Sequence, residues 1–279
     1  MKIKKLCGLW AYVFKNVQQC AKTLSRRRCY SRSRIKHDMP TTWYDGLVKK
    51  TEPIAPNVKQ FWLEMPELDA FDFKAGQFVT MDLPIGDKRL QRWRSYSIAN
   101  APDGSNVLEL CIVRSESGTA TKYLFDDVQP GSALRFKGPD GGFVLPETID
   151  KDLVFICTGT GVAPFRSMLH DLKNNGKPHR NIHLIFGTRD ESSILYRAEF
   201  EELARTMPGF CYDVALSRQH DWPGYKGHLH QIYLEQYKDV RPDVAFYLCG
   251  WNAMIDEGVA NLLVKLGYDR SQIHYELYG

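Results

Sequence analysis

From Lys151 to the last residue, short continuously apolar runs alternate with segments whose apolar residues recur every three to four positions. The runs are "LVFICTG", "NIHLIFGTR", "FCYDVALSR", "DVAFYLCG" and "IHYELYG". Between them Phe165, Met168, Leu169 and Leu172 share one helical face, and Phe200, Leu203, Ala204 and Met207 share a second. Ile255, Val259, Leu262, Leu263 and Leu266 make a third. A strand that is apolar on both faces must be covered on both, and connecting helices supply the cover. The pattern predicts a Rossmann-like parallel sheet with helices on both faces, whose ligands gather at the carboxyl ends of the strands.

From Thr41 to about Leu145 a different rule holds. Short alternating runs, "GLVKKTEPI", "VKQFWLEM", "GQFVTMDLP", "RWRSYSIAN", "VLELCIVRS" and "SALRFKGP", are separated by Pro, Gly and Asp. In the fifth, Leu108, Leu110 and Ile112 point one way and Glu109, Cys111 and Val113 the other. Six such strands predict a small six-stranded antiparallel barrel, interrupted by one helix that opens after Gly118. The chain divides into a basic extension over 1–38, a barrel over 39–148 and an α/β domain over 149–279.

The sharpest local signal is "CTGTGVAPFRSML", residues 157–169, a buried strand running into Gly159-Thr160-Gly161 and then a helix with Pro164 in its first turn. Such glycines let backbone N–H groups approach a pyrophosphate, and the helix dipole favours the anion. The same glycines also serve a purely structural turn; their place between strand and helix favours the phosphate reading. In the barrel, "RWRSYSIAN" sets Arg94 and Tyr96 on one face, a cation and a ring suited to phosphate and to a flat ligand, or else a solvated face with a packed ring. "ESGTATKYL" opens a helix on Gly118, Thr119 and Thr121, a second place where a phosphate can meet N–H groups.

With the R-x-Y-S of Arg94 to Ser97, Gly118 to Thr121, "GTGVAPF", "CGWNAM" and a terminal E-x-Y in this order, the sequence from Thr41 to Gly279 resembles the ferredoxin–NADP reductase superfamily. That resemblance implies a flavin-binding (FR-type) barrel followed by an NADP-binding α/β domain. It implies that Arg94 binds the flavin pyrophosphate, Tyr96 lies against the isoalloxazine, and Ser97 hydrogen-bonds near the flavin N5, with Ile98 beside it. Val113 and Arg114 would border the ribityl or adenine side, and Gly118, Thr119, Ala120 and Thr121 would close over the pyrophosphate. Two phosphate cradles in the barrel fit FAD better than FMN.

On the nucleotide side the resemblance places Thr158, Gly159, Thr160 and Gly161 at the NADP pyrophosphate and nicotinamide ribose, and Cys249, Gly250 and Met254 at the nicotinamide. Ser217-Arg218 resembles NADP-selective members, since hydroxyl and guanidinium can bind a 2′-phosphate that NAD lacks, with Arg189, Tyr225 and Lys226 assisting. The implied catalytic set is Ser97, Cys249, Glu276 and Tyr278. Tyr278 would stack on the flavin where the nicotinamide must go, although Gly279 extends the chain past the ring, and Glu276 would relay a proton. The activity implied is transfer of hydride from NADPH to FAD, then of single electrons to an external ferredoxin or flavodoxin. An NAD(P)H-dependent reductase component feeding an oxygenase is the enzymatic alternative, and a flavin- and nucleotide-binding sensor or regulatory subunit without turnover is the alternative from another class.

Charge and cysteine usage narrow the partners. Residues 1–38 carry eleven of the 37 Lys/Arg and one of the 33 Asp/Glu, leaving 26 bases against 32 acids, about −6, in the remainder. A mildly acidic globular part argues against nucleic acid. The run "DKRLQRWR" gathers Lys88, Arg89, Arg92 and Arg94 beside the flavin strand, either a docking patch for an acidic carrier or a solvated loop. Cys7, Cys20, Cys29, Cys111, Cys157, Cys211 and Cys249 make no C-x-x-C pair, so the spacing predicts neither a zinc site nor an iron–sulfur cluster. The apolar run Leu6 to Phe14 is too short to span a bilayer. These features predict a protein of the cytoplasm, or of the mitochondrion or plastid if residues 1–38 are a transit peptide rather than a basic arm or a segment ahead of a start at Met39.

Overall fold

The computed structural model describes residues 42–277. The basic extension and Tyr278, with its predicted stacking, lie outside the described residues.

Six strands build the first sheet: β1 (Trp43–Ala55), β2 (Val58–Glu64), β3 (Phe78–Asp82), β4 (Trp93–Ser97), β5 (Val107–Val113) and β6 (Ala133–Asp140). Their order is β4-β3-β6-β1-β2-β5, all neighbours antiparallel. An antiparallel bridge between Ile98 and Leu110 joins the two edge strands and closes the barrel. The alternation in β5 works as expected, with Leu108, Leu110 and Ile112 buried in a core shared with Phe61, Leu63 and Phe136. Cys111 departs from it: on the outer face, it is nonetheless buried because the second domain covers that side. The helix α1 (Thr119–Asp126) opens after Gly118 and puts Ala120 and Leu124 into the barrel core.

The second sheet consists of β7 (Asp152–Thr158), β8 (Ile182–Thr188), β9 (Phe210–Leu216), β10 (Tyr225–Lys226), β11 (Val244–Gly250) and β12 (Ile273–Leu277). Every pair is parallel, in the order β10-β9-β8-β7-β11-β12. The helices are α2 (Ala163–Asn174), α3 (Arg197–Thr206), α4 (His230–Gln236) and α5 (Asn252–Ala260), the last prolonged by a π-helical stretch over Asn261–Leu266. Separate apolar clusters lie on the two faces of the sheet. The predicted helical faces pack inward, with Val259, Leu263 and Leu266 half-buried against the core, and only Ala204 of them is exposed. Strand order reverses between β7 and β11, so the crevice for a ligand opens at their carboxyl ends. Among the described residues no helix is long and apolar enough to cross a membrane.

The helix α2 also fastens the barrel to this sheet. Ser167 Oγ donates to the Asn100 carbonyl at 2.6 Å. Gly76 meets the same helix so closely that an added Cβ would lie 2.5 Å from Met168 Cε and 2.0 Å from the Phe143 carbonyl oxygen. Its φ of +98° also disfavours any side chain.

Candidate active site

On β4 the expected face forms. Arg94 and Tyr96 are both half-buried and stand in register with Met81 and Val79 of β3. Arg94 Nη1 donates to the carbonyls of Leu90 (3.0 Å) and Trp93 (2.7 Å), which fixes the guanidinium at the start of the strand. Burial raises the Tyr96 phenol to about 12, with Arg94 pulling the other way, so the ring stays neutral. Ile98 is fully buried and can offer a ligand only backbone groups; the same holds for Ala120.

The loop before α1 is built by Thr121, whose Oγ1 accepts from the Ser115 N–H at 3.0 Å and donates to the Gly118 carbonyl at 3.2 Å. Gly118 and Thr121 are part-exposed and Thr119 exposed, leaving this helix start open to a ligand. Val113 is exposed, and the Arg114 guanidinium is paired with Asp126 at 2.9 Å. The basic run is partly neutralised, since Arg92 pairs with Asp82 at 2.5 Å and Arg89 lies over the Trp93 ring at 4.9 Å. Lys88 and Arg89 remain exposed beside Leu90, which is 84 % exposed.

On the second sheet, Gly159 to Val162 form a single 3-10 turn from which α2 runs on with no side-chain cap and with Pro164 in its first turn. A Cβ on Gly161 would sit 2.4 Å from the Cys249 carbonyl oxygen, so the turn closes against β11 only with glycine there. Gly250 has φ +145°, and a Cβ there would meet Thr158 Oγ1 at 2.4 Å. Gly159, at φ +53°, has open space where its side chain would be. Two glycine-bearing strand ends thus close on each other at the switch point, with open space at Gly159, the place in such a sheet where a dinucleotide meets backbone N–H groups. Met254 is buried, and its Cε would lie 3.0 Å from a Cβ on Gly250.

Ser217 and Arg218 are exposed past the end of β9, and their N–H groups donate to the Thr188 and Arg189 carbonyls at 3.0 and 2.8 Å. Arg189 is exposed at the neighbouring strand end, so the two guanidinium-bearing residues come together. The hydroxyl of half-buried Tyr225, in register with Ala215 of β9, accepts from Gln236 Nε2 at 3.0 Å. Exposed Lys226 follows it on β10.

The two halves meet where β4, β11 and β12 converge. Ser97 Oγ, buried at the end of β4, donates to Glu276 Oε2 at 3.4 Å, bridging barrel and sheet. Glu276 on β12 lies in register with the buried Cys249 on β11, on the sheet face that also carries Tyr247 and His274, whose rings stack at 4.5 Å. Burial raises the Glu276 carboxyl from 4.5 to about 7, the Ser97 hydrogen bond partly opposing it. A carboxyl held there can keep or release a proton near neutral pH.

Sequence reasoning missed the ion cluster behind this junction. Arg166 on α2 donates from Nη1 to the Ala99 carbonyl (2.9 Å) and Glu109 Oε2 (2.8 Å), and from Nε to Glu199 Oε1 (2.7 Å). Its guanidinium also lies 4.6 Å from the Tyr196 ring centroid. Burial disfavours the charge, but Glu199 and Glu109 outweigh it and hold Arg166 ionised. A lone Arg just beside the Phe165 face was the available signal, but its partners, Glu109 and Glu199, lie far off in sequence.

A flavin-type barrel joined at a switch point to a dinucleotide-type sheet defines a two-domain flavoprotein reductase. Comparison with known proteins agrees: residues 45–145 match the model of the oxidoreductase FAD-binding domain, and residues 155–259 that of the oxidoreductase NAD-binding domain. The chain is 34 % identical over 242 residues to a ferredoxin–NADP reductase B of Sorangium cellulosum, covering 84 % of this chain and 97 % of that one. It is 30 % identical over 238 residues to the phenol hydroxylase P5 protein of Acinetobacter pittii, covering 84 % of this chain but 65 % of the relative. Among solved structures, the Amycolatopsis cytochrome P450 reductase GcoB superposes with a TM-score of 0.75 at 28 % identity, over 85 % of this chain and 71 % of that one. The chain belongs to the ferredoxin–NADP reductase superfamily, as an oxidoreductase with FAD-binding and NAD(P)-binding domains.

Proposed function

We propose that this flavoprotein takes hydride from NADPH and delivers single electrons to an external carrier of the ferredoxin or flavodoxin type. The observation that carries the reading is the convergence of Ser97, Glu276 and Cys249 at the switch-point crevice, with Ser97 and Glu276 hydrogen-bonded across the two domains. FAD, when bound, supplies the conversion of a two-electron hydride donor into a one-electron source. The residues do the rest. Arg94 and the N–H groups of Gly118 to Thr121 hold the flavin pyrophosphate, Tyr96 flanks the ring, and Val113 and Arg114 border the remainder of that cofactor. Thr158 to Gly161 hold the nucleotide pyrophosphate, while Gly250 leaves room for the nicotinamide beside Cys249.

Glu276, poised near neutral pH, holds a proton on its carboxyl and exchanges it with Ser97 Oγ. Exposed Ser217, Arg218 and Arg189 offer a hydroxyl and two guanidinium groups to a 2′-phosphate, which favours NADPH over NADH. Exposed Lys88 and Arg89 suit an acidic carrier, and the likeness to a ferredoxin–NADP reductase supports that partner class. The four described cysteines form no disulfide, which fits a reducing compartment such as the cytoplasm.

The similarity to the phenol hydroxylase component and to the P450 reductase favours one second reading, a reductase that feeds an oxygenase. Turnover with NADPH is the deciding assay. Reduction of ferredoxin or flavodoxin at a rate that falls with added salt supports the carrier assignment; turnover only with an oxygenase component transfers it to the second reading.

A further inference from the structure

The amino-terminal ends of β8 and β9, opposite the glycine turns, carry a second cluster with its own chemistry. His183 on β8 lies in register with Cys211 on β9, and Asp213 stands two residues further along β9 on the same face. His183 Nε2 lies 3.0 Å from Asp213 Oδ2, and one ligand atom from each of the three falls within 4.8 Å of the others. A cleft of about 360 Å³ opens over His183 and Cys211, bordered also by Asp152, Asn181 and Tyr237.

We propose that His183, Cys211 and Asp213 bind a divalent cation of the Zn²⁺ type, with its fourth position open to this cleft. One nitrogen, one sulfur and one carboxylate oxygen suit a borderline-soft ion. Bonds of about 2.0–2.3 Å in a tetrahedron place ligand atoms roughly 3.3–3.8 Å apart. The imidazole and carboxylate would separate slightly and the thiol would close in, shifts of about an ångström or less at the ends of two strands. On binding, the proton of the Cys211 thiol passes to water, and the His183 ring ligates as neutral imidazole through Nε2, its one ring proton held on Nδ1 towards the Tyr237 hydroxyl.

The surroundings already have the arrangement that orients metal ligands. The other ring nitrogen, His183 Nδ1, is 3.0 Å from the Tyr237 hydroxyl, and Asp213 Oδ2 accepts from Gln236 Nε2 at 3.2 Å. Outer partners of this kind fix the ring and the carboxylate of bound sites. Cys211 is exposed and gives the ion access. Because the donors sit on separate strands, cysteine spacing carries no sign of them, and the sequence predicts no metal site. The ion would pin the start of β9, the strand that leads to Ser217 and Arg218.

The test uses the full flavin-loaded chain, stripped with a chelator and titrated with Zn²⁺ against a chromophoric zinc indicator. The expected result is one tight equivalent per chain, weakened about 100-fold or more in both Cys211→Ser and Asp213→Asn, with flavin content unchanged. A Zn²⁺-dependent rise in melting temperature should accompany it and vanish in the same variants. These variants keep the other six or all seven cysteines, so zinc held elsewhere survives in them. Absence of a tight equivalent, or unchanged affinity in either variant, overturns the proposal.

Discussion

Replacing Glu276 by Gln should stabilise the protein at alkaline pH and leave it unchanged in acid. The carboxyl sits at about 7 in the folded protein against an ordinary value of 4.5, because burial opposes its charge. Below pH 4.5 it is protonated in both folded and unfolded chains, and the shift has no effect. Between 4.5 and 7 the unfolded chain ionises first, so stability falls as pH rises. Above 7 the full cost remains; at about 1.4 kcal/mol per pH unit of difference, it reaches about 3 kcal/mol. The carboxyl keeps some contact with water, which lowers the expected gain for Gln at pH 8 to about 1–3 kcal/mol. The amide oxygen can still accept from Ser97, so packing is retained. Urea unfolding of both proteins at pH 5 and pH 8 measures the difference, and about 2–4 °C of melting temperature should accompany each kcal/mol. An equal difference at the two pH values refutes the buried, raised carboxyl. The same substitution should flatten the dependence of flavin reduction on pH near 7.

Arg166→Leu should cost about 3–5 kcal/mol in urea unfolding, because it leaves Glu109 and Glu199 without their buried cation. A loss below 1 kcal/mol would show that the cluster does not hold the domains together. Arg218→Gln should lower kcat/KM for NADPH about 10–100-fold, the worth of one charge-assisted phosphate contact, and leave NADH nearly unchanged. Equal losses with both nucleotides would remove Arg218 from cofactor choice. Tyr278→Ser should tighten NADP⁺ binding about tenfold in a flavin difference titration, if the ring occupies the place of the nicotinamide. Unchanged affinity would count against the stacking.

Periodicity made most of the fold legible. The alternation in "VLELCIVRS" and the apolar run "LVFICTG" each gave a strand of the right kind, because burial of one face or of both writes itself directly into sequence. Two-residue β10 left no period to read. Cys111 points outward as the alternation predicts, but a domain contact that the strand's own pattern does not record buries it, and Ala204, expected on the buried face, is exposed.

Within the candidate site, the glycine turn was legible because a strand, a turn and a helix adjoin in sequence. The pairing of Ser97 with Glu276 came only from the family resemblance, since 179 residues separate them. Arg166 and the His183 cluster stayed hidden for the same reason, their partners being set by tertiary packing. Ile98 and Ala120 show a further limit, since a motif names a position but not whether its side chain is buried.

The most direct test of the central claim is anaerobic rapid mixing of the oxidised, FAD-loaded protein with NADPH, and separately with NADH, while the flavin absorbance is followed. The account predicts rapid bleaching by NADPH, slower bleaching by NADH, and a marked loss of rate in Ser97→Ala. A flavin band that neither nucleotide bleaches would contradict it.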